Sequence, residues 1–326
     1  MKTTRTTKAL ISLLLAIGIF LVLQGGLIQA KTAGQKAETQ RIYPKNPVHH
    51  CIMDHYGTED HTDWHYVYFG SYPQTEVTGK ALTTEIIKAA YDENGDAWVN
   101  NVKYRRISKS DTNNNQYFGE HKYRYFKWES IKWRVLHNDG SAIFLMADKG
   151  IDCKDYHTLG ADISWENSTI RQWLNKDFYD TAFSSDEQQA IVKQTIVNED
   201  NSEYETEGGS NTKDKVFLLS MEEVLNPGYG FCEKYDMESL THMIQVTDYA
   251  HAMGAYTNSN RYQGNGWWWL RSSGYTTFHA VYVGCYGLVR PDGDYIDAYD
   301  KTCVPALYLD VSSDLWTCKD DGNAMN

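Results

Sequence analysis

The residue types best suited to chemistry gather between positions 49 and 65, as His49, His50, Cys51, His55, His61 and His65. Cys51 with His55, and His61 with His65, stand four residues apart, a spacing that on a helix turns two ligands toward zinc or another transition metal. Pro47, Gly57 and the lack of an apolar period favour a solvated, histidine-rich spacer over that metal site. "DENGDAWVNNVK", 92–103, begins as a calcium loop does, with Asp92, Asn94 and Asp96 at alternate positions. It departs from one at Ala97, where glycine is needed, and at Lys103, where a bidentate glutamate belongs, so it reads as a turn. Gly-rich phosphate loops, HExxH and G-x-S-x-G elbows are absent from the sequence, and no cofactor is expected. Carboxylates are plentiful, and a glycosidase-type pair sharing a cleft stays open.

The other candidate is a recognition surface. In "GNGWWWLRSSGYTTFHAVYVGCYG", 264–287, three tryptophans precede Arg271 and a run of aromatic and hydroxyl residues. Trp267, Trp268 and Trp269 leave no polar face, which predicts a strand covered on both sides, with Arg271 at its exit pairing with a carboxylate beneath the next turn. The residues after it are read with Val281 and Val283 inward and His279, Tyr282 and the turn around Tyr286 outward. Exposed aromatic rings give large contact area at low entropy cost, which suits glycan or protein recognition. The contact set read this way is Tyr275, Phe278, His279, Tyr282, Tyr286, Tyr295, Asp297 and Tyr299. A tyrosine-rich β core explains the same composition, 24 Tyr among 326 residues.

These residues need elements to hold them. Residues 1–30 read as a secretory signal: Lys2, Arg5 and Lys8 precede an apolar run from Ala9 to Leu23, with cleavage after Ala30 or retention as an anchor. Residues 31–63 read as a polar linker. Ordered chain is expected over 64–314 as one domain, with a tail at 315–326. "YFKWESIKWRVL" alternates as a half-buried strand does, and "SAIFLMAD" is apolar enough to be covered on both faces. A helical middle follows, with Ser164 capping "SWENSTIRQWLN", Ser184 and Glu187 forming a capping box, and Ser220 with Glu223 forming another. Thr247 opens a fourth helix that Gly254 closes. The acidic stretch 198–211 reads as a mobile loop. From Trp267 onward short strands alternate with Gly and Asp/Gly turns, a C-terminal antiparallel meander.

Composition narrows the partners. Asp and Glu number 43 against 31 Lys and Arg, a formal net charge of −12, and removal of the basic leader deepens the excess. Such a balance repels phosphate backbones and anionic lipid, which argues against nucleic acid and against membrane contact beyond the signal. Six cysteines in an exported chain allow up to three disulfides, and free buried thiols equally. The segment from Ser272 to Asp300 lacks Trp, Gln, Glu, Lys and Met, the five types that codons ending in a pyrimidine cannot encode. Randomised adenines in asparagine codons would leave that signature, and strands with tight turns disfavour the same residues.

"FGSYPQTEV", "WESIKWRVL", "SWENSTIRQWLNKDFYDTAFSSDEQQAI", "DKVFLLSMEEV", "WWWLRSSG" and "PALYLDVSSD", in this order, resemble a family of exported proteins of gut Firmicutes, domain of unknown function 6273. The resemblance spans about residues 64–314. It implies an α+β, C-type-lectin-like fold akin to formylglycine-generating enzymes and to the variable proteins of diversity-generating retroelements. Many relatives carry an arginine before the proline of the closing strand, whereas this chain has Val304 before Pro305. The calcium signature of sugar-binding C-type lectins is also missing. The expectation is therefore a secreted or cell-surface module that binds an extracellular glycan or protein without catalysis. An exported polysaccharide hydrolase and a structural surface component are the alternatives.

Overall fold

The alternation in "YFKWESIKWRVL" builds the strand Tyr123–Asn138, and its two edges recruit most of the larger sheet. One edge pairs with Tyr66–Glu76, the other with Val102–Ser108 and Ala142–Ala147, all antiparallel. These elements belong to a computed structural model that describes residues 41–54, 57–158 and 162–319. The signal reading at 1–30, the first part of the linker, His55 and the end of the tail lie outside the described residues. Ala306–Asp310 pairs with Ala142–Ala147, and its far edge takes Ile191–Val192 and Val216–Phe217. Ile143, Leu145 and Met146 have no exposed surface, as a strand covered on both faces requires.

Short helices pack on this sheet, and their ends follow local rules. The Ser184–Glu187 and Ser220–Glu223 capping boxes form, and Thr247 caps the helix that stops at Gly254. Ser164 makes no side-chain cap; Ser168 accepts from the Arg171 amide instead and starts Thr169–Trp173. That helix continues through a π turn, Leu174–Phe178, into Tyr179–Ala182. Phe178 and Phe183 bind it to the sheet: Phe183 stacks on Phe69 at 5.3 Å and meets Phe178 at 5.7 Å. Burying each such ring stabilises the fold by about 2–3 kcal/mol.

A second sheet runs in the order Val289–Tyr295, His279–Val283, Trp268–Ser273, Thr302–Cys303, Asp152–Cys153. The result is a mixed α+β architecture, rich in sheet. No helix among the described residues is long and apolar enough to cross a membrane.

Three stretches depart from the reading of the sequence: Thr317–Lys319, within the expected tail, pairs with the strand Tyr66–Glu76, and two others lie further up the chain. Within the expected linker, Val48–Asp54 and Gly57–Asp63 pair as an antiparallel hairpin. Polar contacts hold it: Thr62 donates to the Gly230 carbonyl at 2.6 Å, and Ser239 donates to the buried Asp60 carboxylate. The acidic stretch 198–211 is likewise fastened, because the buried Asn201 amide donates to the carbonyls of Ser273 at 2.8 Å and Pro291 at 2.9 Å. None of the six cysteines forms a disulfide.

Candidate functional site

Trp268 and Trp269 have no exposed surface, and Trp267 is half-buried immediately before the strand. Trp268 donates to the His242 carbonyl at 3.1 Å, whereas Trp267 and Trp269 enclose Lys301. Its ammonium lies 5.3 Å from the Trp267 ring, 5.0 Å from Trp269 and 5.0 Å from Tyr282. It donates to Asp294 at 2.5 Å and to Asp300 at 2.7 Å. A buried cation is tolerated only with paired carboxylates and polarisable ring faces, and Lys301 has both. Trp267 and Trp269 therefore brace the turn 294–300 from behind. Tyr282, expected on the outer face, is half-buried as one wall of this cage.

The carboxylate against Arg271 is that of Glu223. The guanidinium donates to it at 2.5 Å and 3.2 Å, and also to the Leu218 carbonyl at 2.9 Å and the Val197 carbonyl at 3.0 Å. Glu223 simultaneously caps its own helix by accepting from the Ser220 amide. One carboxylate thus joins the tryptophan strand to the helix Met221–Val224.

A bulge sets the outer surface. Between the pairs Ala280↔Asp294 and Tyr282↔Arg290 the edge strand carries extra residues. Gly293 sits there at φ 74°, and a Cβ on it would lie 2.6 Å from the Ala280 carbonyl oxygen, so the bulge demands glycine. Pro291 is tolerated because its strand is an edge. The shift sets Tyr295 opposite His279, and His279, expected outward, instead takes the buried side with Val281 and Val283. That ring is only 8% exposed, clasped between Tyr275 at 4.2 Å and Tyr295 at 4.6 Å. Its Nδ1 lies 2.8 Å from the Thr276 hydroxyl. Burial lowers its pKa from 6.5, with Asp294 and Asp292 opposing.

Tyr204 meets Tyr275 edge-on at 6.2 Å. The outcome is a run of four rings, Tyr204, Tyr275, His279 and Tyr295, whose tyrosines are 49, 48 and 62% exposed. Phe278 is exposed beside Thr277, whose hydroxyl donates to Asp162. Asp297 and Tyr299 stand exposed on the turn braced by Lys301, and Tyr286 lies apart, half-buried against Tyr262 at 6.2 Å. Tyr204, Asn201 and Lys301 were absent from the set read in the sequence. An asparagine within an acidic stretch, and a lysine immediately after a segment lacking lysine, were the available signals.

The histidine-rich stretch forms strands, not helix, so four-residue spacing does not gather ligands. Cys51 lies opposite Asp60 and His50 opposite His61, which sends Cys51 and His61 to opposite faces of the hairpin. His61 stacks on His50 at 4.7 Å, and the buried His65 Nδ1 has no partner among the described residues. Among these residues no three His, Cys, Asp or Glu side chains are grouped to hold a metal ion.

A family model described as Domain of unknown function (DUF6273) matches residues 140–311, more than half of the chain. The chain belongs to this family. The DUF6273 region takes in the four-ring run, the tryptophan strand and Lys301, while the hairpin 48–63 and the strand Tyr123–Asn138 precede it. No curated protein and no solved structure matches the chain.

Proposed function

We propose that the protein is a secreted or cell-surface recognition module that binds an extracellular glycan or protein through the outer face of its C-terminal sheet, without catalysing a reaction. The observation that carries this reading is the four-ring run, in which three exposed tyrosines flank one clasped imidazole. Rings fixed by their neighbours lose little entropy when a ligand covers them. The acidic net charge speaks against nucleic acid, and the apolar leader supports export. A helical middle followed by an antiparallel meander supports the C-type-lectin-like reading. If the segment 272–300 is diversified, variation falls on Tyr275, Phe278, Tyr295, Asp297 and Tyr299, because Ala280, Val281 and Val283 have no exposed surface.

The test is a screen of the full chain against bacterial and dietary glycans and gut surface proteins, with hits measured by calorimetry. Tyr275→Ala combined with Tyr295→Ala is expected to weaken binding at least tenfold, since truncated aromatic hot spots cost about 2 kcal/mol or more, with circular dichroism unchanged. Equal binding by that variant refutes the assignment, and release of new reducing ends from a bound glycan favours the hydrolase alternative.

A further inference from the structure

Behind the turn that carries Asp297 and Tyr299 lies a cleft of about 570 Å³, bounded by residues 110–113, 153–155 and the helix that starts at Thr169. We propose that this cleft is a second binding site, separate from the four-ring face, and that it takes an uncharged sugar ring. It stands whether or not the four-ring face binds a ligand.

Three observations carry it. Trp173 stands at helical spacing with the buried Ile170 and Leu174, yet it is half-buried and lines the cleft. Phe178 at 5.4 Å and the Lys154 ammonium at 5.2 Å hold the indole in place. The part left open is an apolar plate suited to the C–H face of a pyranose. Around it, the side chains of Asn113, Gln172 and Asp177 line the cleft and bond to no other described side chain or carbonyl. They offer both donors and acceptors to hydroxyl groups. Finally, the helix gives up regular α bonding at Leu174–Phe178, and this π turn carries Lys176 and Asp177 to the rim. Such insertions weaken a helix and are frequent at functional sites.

Charge selects the ligand class. Lys154 is engaged by Asp152 at 3.3 Å, and the rest of the charged lining is Lys176 with the carboxylates of Asp111, Asp155 and Asp177. A phosphate, sulfate or carboxylate ligand would meet more negative than positive charge there. Vicinal hydroxyls suit paired carboxylate and amide acceptors, and need no counter-charge. Burial, and after it the charge of Asp297, raises the Asp155 carboxyl above the usual aspartate range.

Saturation-transfer NMR on the full chain, with glucose, galactose, mannose and N-acetylglucosamine offered singly, tests the site. Transfer to at least one sugar is expected, weakened at least tenfold in Trp173→Ala and in Asp177→Asn and unchanged in the Tyr275→Ala, Tyr295→Ala variant. Should Trp173→Ala fail to fold, Asp177→Asn and Gln172→Ala, both at exposed positions, make the same comparison. Silence toward all four sugars, or wild-type binding by the cleft variants, overturns the proposal. Loss of sugar binding in the tyrosine variant alone overturns the separateness of the two sites.

Discussion

Lys301→Met removes the caged charge while keeping most of the side chain's length and volume. Deleting one partner of a buried ion pair costs about 3–5 kcal/mol when the survivor is trapped without solvent. Here the surviving carboxylates, Asp294 and Asp300, keep 37 and 38% of their side-chain surface exposed, so water takes over much of their solvation. What remains lost is the interaction of a desolvated cation with three rings, about 2 kcal/mol. The methionine thioether recovers part of that against the same rings. The net expectation for Lys301→Met is a loss of about 1–2 kcal/mol. Lys301→Ala also opens a cavity between Trp267, Trp269 and Tyr282 and should cost about 3–5 kcal/mol. Urea unfolding at pH 7 reads both as shifts of the midpoint at constant slope. Equal losses in the two variants refute the argument that water relieves the carboxylates. A methionine variant as stable as wild type refutes the cage itself.

Asn201→Ala leaves the Ser273 and Pro291 carbonyls without their donor, at a cost of about 2 kcal/mol. Limited proteolysis should cut within 198–211 faster in that variant, and unchanged cleavage would sink the idea that Asn201 fastens the segment. Burial holds the pKa of His279 below 6.5, as it does for His49 and His242. Below that pH the unfolded chain binds more protons than the folded one, so stability is full above about pH 6.5 and falls as the pH drops through it. The urea midpoint should decline from pH 7 to pH 5, and His279→Gln should flatten part of that decline.

Local chemistry made the helix ends legible: a serine three residues before a glutamate, at 184 and at 220, needs no distant partner to form its box. The tryptophan strand was legible for a similar reason, since three large rings in succession exclude solvent from both faces. Long-range contacts hid the rest. Nothing near Asp60 or Thr62 announces Ser239 or Gly230, and without those partners the hairpin 48–63 is a polar stretch. His279 was misplaced because its ring was read as a contact group, although it stands two and four residues before Val281 and Val283 and so shares their inward face. Trp173 obeys the helical period and still lines a cleft, because the period fixes a face of the helix and not what covers it. Six cysteines allowed bridges, but bridging depends on geometry that spacing does not encode.

The place of Ala306–Asp310 in the larger sheet has a consequence in time. This strand lies between Ala142–Ala147 and the pair Ile191–Val192 and Val216–Phe217. During synthesis the Ala142–Ala147 strand exists long before the one that covers its edge. Until residue 310 has been added, the sheet stands in two parts with a row of unpaired backbone groups beside Ile143, Phe144, Leu145 and Met146, an open template for another chain. Ribosome products halted short of that strand should aggregate, and a segment made late is the one that locks the middle.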